Sequence, residues 1–482
     1  MLFNSIDFAI FLPLVFFLYW FVAKNNLKLQ NFIIVTSSYL FYGLWDWRFL
    51  SLILFSTIID YSIAINLNSN ESKKIRKFLL WISILINIGL LGLFKYYNFF
   101  LDNFITTFAF IGMEIKANSL NIILPLGISF YTFQTLSYTI DIYNRKLKPT
   151  NDFIAFAAFV SFFPQLVAGP IERATHFLPQ FHKKRTFSYP KAVDGMRQIL
   201  WGLFKKVVIA DNCAKFANVI FNNHEAYSGS TLILGALFFS FQIYGDFSGY
   251  SDIAIGTSRL FGFNILQNFK LPYFSRDIAE FWRKWHISLS SWFRDYIYIP
   301  LGGSRVSGLK KIRNVFIIFI LSAFWHGANW TYFFWGLLHA LYFSIILLTK
   351  KNRNNLDIVA QNKKLPNIKD IVNILLTFSF VVFSWIFFRA ENISHAFSYL
   401  ATIFSKSLFS CPNLLELKHA IVCLILIIVM LISEFITRKL EHPLKFNETL
   451  FTRKLRWLIY IIIILLIINF PGEKQNFIYF QF

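Results

Sequence analysis

Apolar runs of roughly twenty residues recur along the whole chain, with the charges gathered in short clusters between them. A helix that crosses a bilayer needs about 20 mostly apolar residues. The pattern therefore leaves little besides a bundle of membrane helices. Runs of this kind cover 7–23, 29–45, 49–67, 78–94, 121–140, 153–169, 196–218, 229–247, 314–325 with 328–349, 371–388, 419–437 and 455–470. They predict an all-α polytopic membrane protein of about 10–12 spans. The shorter runs read as re-entrant or half helices, which are tolerated where protein covers them. Composition agrees. Charged residues make up only 15% of the chain, against about 25% in soluble domains. A soluble fold could not hide the side chains of 61 Phe, 21 Tyr and 13 Trp.

The formal net charge is +22. Because the cations sit between apolar runs, they suit the positive-inside rule and anionic lipid headgroups rather than nucleic acid. Lys24 and Lys28 follow the first run; Lys73, Lys74, Arg76 and Lys77 follow the third; Arg145, Lys146 and Lys148 follow the fifth. These loops are expected on the cytoplasmic side, with the N-terminus and the loop at 95–120 outside. The start of the chain has no basic n-region and no small-residue cleavage site, and reads as a retained first helix. The segment 172–191 is basic and holds Pro and His, as an amphipathic or re-entrant element would. Residues 247–313 are dense in Arg, Lys, Trp and Tyr and read as interfacial helices forming a cap on the cytoplasmic side. Cys213, Cys411 and Cys423 show no paired spacing and read as small buried residues.

An ionisable residue inside an apolar run is a functional hypothesis by default. Between residues 314 and 349 no Asp, Glu, Lys or Arg occurs, and the titratable groups of interest are His326 and His339. His326 stands among Trp325, Gly327, Asn329 and Trp330. Flanking rings would exclude water, and a neutral imidazole there could take a proton from a hydroxyl or thiol. The same sequence also fits a core histidine satisfied by one hydrogen bond, which is the reading favoured for His339. His286 lies in the basic, aromatic stretch 276–305 with Arg283, Lys284, Arg294 and Arg305. That surface would suit a phosphate-bearing or acidic partner, or an ordinary interfacial helix with snorkelling cations. Asp246 and Asp252 in QIYGDFSGYSDIAIG read as structural, either paired with a nearby Lys or Arg or capping helices in a Gly-rich turn. No metal site is expected from them. Nucleophile-elbow, Walker and zinc-helix motifs are absent from the sequence.

Several segments carry a resemblance: LPLGISFYTFQTLSYTIDIY (124–143), FFPQLVAGPIER (162–173), QIYGDFSGYSDIAIG (242–256), the block 269–305, FWHGANWT (324–331), FFRAENISHAF (387–397) and FIYFQF (477–482). The chain resembles the membrane-bound O-acyltransferases, and within them the bacterial alginate O-acetyltransferase branch. The resemblance implies one membrane-embedded domain over 1–482, in which 314–349 is the helical segment carrying the catalytic histidine. The family's invariant histidine maps onto His326, and a second, upstream polar residue onto His286. Trp282, Arg283, Trp285, Arg294, Trp325 and Asn329 become candidates for binding donor or acceptor. Such enzymes have a thinned centre, reached from both faces. The implied reaction moves an acetyl group from a cytoplasmic donor, acetyl-CoA or an acyl carrier protein's thioester, to an extracytoplasmic polysaccharide such as alginate. An SGNH-type partner usually completes the transfer. No bound cofactor is expected, and the implied location is the bacterial inner membrane. D-alanyl transfer to a teichoic acid-like polymer and a non-catalytic polysaccharide transporter are the alternatives.

Overall fold

The computed structural model of the chain describes all residues except 121, 168, 415, 447–450, 481 and 482. Parts of the expected runs 121–140 and 153–169, residue 168 of FFPQLVAGPIER and the last two residues of FIYFQF lie outside the described residues. The protein is all-helical among the described residues. Six helical stretches are long and apolar enough to cross a membrane: Leu27–Ser69, Lys73–Phe110, Gly229–Leu260, Trp330–Leu348, Ile368–Arg389 and Leu417–Ile436. Ile6–Val22 and Phe153–Leu166 are shorter apolar helices. The first long stretch is divided at Asp46, whose backbone is extended, so Leu27–Asp46 and Leu50–Ser69 are separate 20-residue helices. Each is about 30 Å long, enough to span by itself. The other expected runs are helical too but fall short of those six: Ile128–Tyr143 has 16 residues and Arg453–Asn469 has 17. The helix Gly308–His326 carries Lys310, Lys311 and Arg313 in its first turns. Cys213 and Cys423 are buried as expected, but Cys411 is exposed, in a loop past the helix Ile393–Ile403.

Packing divides the chain into two compact units. The first comprises 1–192 with 257–266. Three of its helices start at a capping side chain: Ser5, Asn26 and Asp152 accept from the backbone N–H groups of Phe8, Leu29 and Ala155. Ile128–Tyr143 is buried along almost its full length. Its Thr139 joins a buried polar cluster in which Ser83 and Asn87 donate to the Asp60 carboxylate at 2.6 and 2.9 Å. These short polar side chains tie three helices together where lipid offers no hydrogen bonds.

The second unit comprises 193–256 with 267–482. Within it, the helix Gly229–Leu260 is buried over most of its length as far as Gly256. A Cβ added at Gly249 would lie 2.8 Å from the Gly202 carbonyl oxygen, and one at Gly202 would lie 2.6 Å from that of Gly249. Only glycine allows these backbones to approach so closely. Two seven-residue helices, Ile278–Lys284 and Ile287–Phe293, follow. The helices Gly308–His326 and Trp330–Leu348 then form an antiparallel pair, joined at residues 327–329.

Candidate active site

His326 is the last residue of its helix. Gly327 leaves the helix with φ −176°, and Asn329 restarts the chain by accepting from Thr331 N–H at 3.0 Å. Gly327 is required by its neighbour: an added Cβ would stand 2.2 Å from the ring of Tyr332. The turn thus holds the His326 imidazole inside the protein, with 2% exposure. Its walls are rings: Trp325 at 5.0 Å between centroids, Trp335 at 5.1 Å, Phe388 at 5.4 Å and Tyr479 at 5.6 Å.

His286 reaches the same chamber from the other direction. It sits between the two short helices in the left-handed region, φ 43° and ψ 54°. A non-glycine residue there costs about 1–3 kcal/mol and persists only where its surroundings impose it. Two backbone bonds impose it here: Ile287 N–H donates to Asn268 at 2.9 Å, and Lys270 N–H to Lys284 at 3.0 Å. Ser288 adds a hydroxyl bond to the Asn268 side chain at 2.6 Å. The His286 ring is fully buried, edge-on to Phe247 at 4.7 Å and 5.5 Å from Trp325. Burial pushes its pKa down to about 3, so it is a neutral imidazole near pH 7. The two histidine rings are 6.5 Å apart, centroid to centroid. Hydrogen bonds of about 2.8 Å could therefore run from both rings to one small group held between them.

A third participant comes from the end of the chain. Residues 470–479 are pinned into this unit by a buried charge cluster. Lys206 binds Asp211 and Asp246, both at 2.7 Å, and donates to the Gln475 carbonyl at 3.1 Å. Asp246 accepts from Ile478 N–H at 2.6 Å, and Asn212 donates to Phe470 O at 3.2 Å. Phe477 packs on Tyr250 at 4.7 Å. The result is that Tyr479 lies 5.6 Å from His326 and 6.1 Å from His286, centroid to centroid. In the sequence the terminal aromatic segment carries only the family resemblance, and nothing there places Tyr479 in the site. An aromatic cluster that continues past the last apolar helix was the available signal. The expected pairing of the two aspartates holds, since Asp252 binds Lys205 at 2.6 Å.

The other candidates divide. Trp325 lines the chamber between the two histidines. Trp285 is buried, stacked on Phe281 at 5.5 Å and packed on Trp385 at 5.1 Å, and Trp385 in turn stacks on the chamber wall Trp335 at 5.9 Å. Trp282 donates its indole N–H to His339 Nδ1 at 3.2 Å, and Ser384 lies 2.9 Å from His339 Nε2. His339 is thus a satisfied core histidine, with the Trp335 ring against both it and His326. Arg283 spends its guanidinium on the carbonyls of Asn352 and Asn355, at 2.9 and 2.7 Å. Arg294 is exposed and paired with its neighbour Asp295 at 2.7 Å. Asn329 caps its helix and donates to Glu391 O at 2.8 Å. The structure does not bring these last three side chains to the histidine pair. Among the described residues no group of His, Cys, Asp and Glu could hold a metal ion.

Comparison with known proteins decides the family. The family model for the membrane-bound O-acyltransferases matches residues 144–388, about half of the chain. The chain belongs to the membrane-bound O-acyltransferase family. It is therefore a multi-pass membrane enzyme, an acyltransferase. It is 38% identical over 423 residues to a "Probable alginate O-acetylase AlgI" of Pseudomonas aeruginosa, covering 87% of this chain and 77% of that protein. It is 36% identical over 430 residues to the "Peptidoglycan O-acetyltransferase" of Helicobacter pylori, covering 83% and 79%. It is also 28% identical over 288 residues to a "Teichoic acid D-alanyltransferase" of Bacillus subtilis, covering 57% and 71%. The family match takes in His286, His326 and the helices that carry them.

Proposed function

We propose that this acyltransferase passes an acetyl group from a cytoplasmic thioester to hydroxyl groups of an extracytoplasmic polysaccharide, with the histidine chamber as the site of transfer. The single observation that carries the reading is the placement of two buried imidazoles, His286 and His326, 6.5 Å apart in an aromatic chamber. The names of two relatives that align over more than four fifths of the chain, an alginate O-acetylase at 87% and a peptidoglycan O-acetyltransferase at 83%, favour acetyl over D-alanyl. The named D-alanyltransferase aligns over a smaller part of the chain.

In this mechanism His326 takes the proton of the acceptor hydroxyl as its oxygen attacks the thioester carbonyl. The tetrahedral adduct places negative charge on the former carbonyl oxygen. His286, neutral and fixed by its backbone, donates a hydrogen bond to that oxygen. Collapse forms the ester, breaks the carbon–sulfur bond and returns the His326 proton to the departing thiolate. Donor and acceptor thus become thiol and ester with no net proton change. The donor is acetyl-CoA or a carrier-bound thioester. The acceptor hydroxyl belongs to the polysaccharide or to an SGNH-type partner that relays the acetyl group. The reaction needs no resident metal or cofactor, and the membrane is the bacterial inner membrane.

The test follows labelled acetyl, with labelled D-alanine in parallel, into polymer in membranes holding wild type or His326→Ala at equal abundance. General-base help is worth about 10² to 10⁴ in rate, so the variant should lose at least a hundredfold of acetyl transfer. Full transfer by His326→Ala would refute the role, and incorporation of D-alanine instead of acetyl would refute the substrate.

A further inference from the structure

In the first unit, a cavity of about 320 Å³ opens beside the end of the first helix. Five cations line it, Lys183, Lys184, Arg185, Lys191 and Arg259, and no carboxylate does. Its walls are braced. Gln180 and Asn264 hold each other through two bonds of 2.8 and 2.9 Å, and the Trp20 indole donates to Leu260 O at 3.0 Å. Arg185 is only 5% exposed. Its hydrogen bonds go to neutral acceptors, Gln180 O at 3.1 Å and Asn31 Oδ1 at 2.6 Å. Its guanidinium also lies over the Phe263 ring at 4.8 Å. No ion pair joins Arg185 or the three lysines to any described residue. A buried guanidinium is ordinarily matched by a carboxylate, and no carboxylate lines the cavity beside this one.

The surroundings narrow the choice of anion. Phe187, between two lining residues, packs edge-on against Trp20 at 5.6 Å and Phe16 at 5.9 Å while remaining half exposed. Phe17, Phe21 and Val22 beside Trp20 are exposed too. An apolar face of this kind at the edge of a basic cavity suits acyl chains below a charged headgroup. Trp20 is four residues before Lys24, whose loop the positive-inside rule assigns to the cytoplasmic side. That leaflet is the one attractive to basic pockets through its anionic lipids.

We infer that this cavity is a binding site for the phosphate headgroup of an anionic phospholipid. It is separate from the histidine chamber and does not depend on the reaction proposed for that chamber. The test uses the purified full chain in neutral detergent, titrated with phosphatidylglycerol, phosphatidylcholine or inorganic phosphate, and read by native mass spectrometry and thermal unfolding. Phosphatidylglycerol should bind at least tenfold more tightly than phosphatidylcholine. The combined variant Lys183→Gln, Lys184→Gln, Lys191→Gln changes exposed, unpaired side chains and should lose roughly tenfold or more of that affinity. The control variant Lys73→Gln, Lys74→Gln, Lys77→Gln, on another basic loop, should keep it. Equal binding of the two lipids, an unchanged affinity in the first variant, or an equal loss in the control would overturn the site. Stabilisation by inorganic phosphate in place of the lipid would overturn the assignment to a headgroup.

Discussion

Replacing Gly327 with alanine tests how the turn after His326 is built. Gly327 has extended backbone, so alanine brings no conformational strain of its own. The whole effect is steric: the new methyl would overlap the Tyr332 ring, with carbons at 2.2 and 2.6 Å. That ring cannot swing aside freely, because it is 7% exposed and packs edge-on against Phe388 at 4.9 Å. Phe388 in turn touches the His326 ring at 5.4 Å. Overpacking of this kind costs about 1–3 kcal/mol. If the turn yields instead of the ring, His326 moves, and a displacement of about 1 Å can cost about a hundredfold in rate. Gly327→Ala should therefore lower thermal stability in detergent and reduce acyl transfer about a hundredfold at unchanged abundance. Adding Tyr332→Leu removes the opposing ring. The double variant should be more stable than the sum of the two single losses by about 1 kcal/mol or more, as expected for residues in contact, and should recover part of the rate. Additive losses, or a Gly327→Ala enzyme of normal rate and stability, would refute the steric argument.

Other outcomes follow from the buried polar groups. Asp246→Ala removes one carboxylate from Lys206 and the acceptor of Ile478 N–H. It should cost about 3 kcal/mol or more and speed tryptic cleavage after Lys474, whereas unaltered cleavage would show that the chain end is held by other means. Ser83→Ala takes a hydroxyl donor from the Asp60 carboxylate and should lower stability by about 1–3 kcal/mol in thermal unfolding. The folded-state pKa of His286 is depressed by burial from 6.5 to about 3. Its contribution is therefore fully present above pH 6.5 and is lost as pH falls from 6.5 toward 3, at up to about 1.4 kcal/mol per pH unit. Wild type should lose stability on acidification more steeply than His286→Gln across that window, and parallel curves would contradict the buried, neutral imidazole.

The apolar runs made the helices legible, because a run of about 20 such residues has few other uses. His326 stood out for a related reason, as a titratable group inside an apolar stretch free of formal charge. The chamber around it was less legible, since it is assembled from residues far apart in sequence. Nothing local in the sequence requires His286 to adopt a left-handed backbone; the Asn268 and Lys284 bonds impose it. Lys206 falls inside the expected run 196–218, and only folding shows it buried between Asp211 and Asp246, holding the segment around Gln475. The Arg and Trp of 282–294 read either as a ligand surface or as an ordinary interfacial helix with snorkelling cations. Arg283 instead ties down the loop at 352–355, and Trp282 satisfies His339. Composition cannot distinguish a cation that waits for a ligand from one already spent on backbone carbonyls.

A structure of the full chain with a non-reactive acetyl thioether analogue of the donor would test the shared role of the two histidines most directly. The analogue's carbonyl oxygen should lie between the two imidazoles, within hydrogen-bond reach of His286, with the acyl carbon facing the acceptor side of His326. An analogue bound with its carbonyl outside the aromatic chamber would contradict the account.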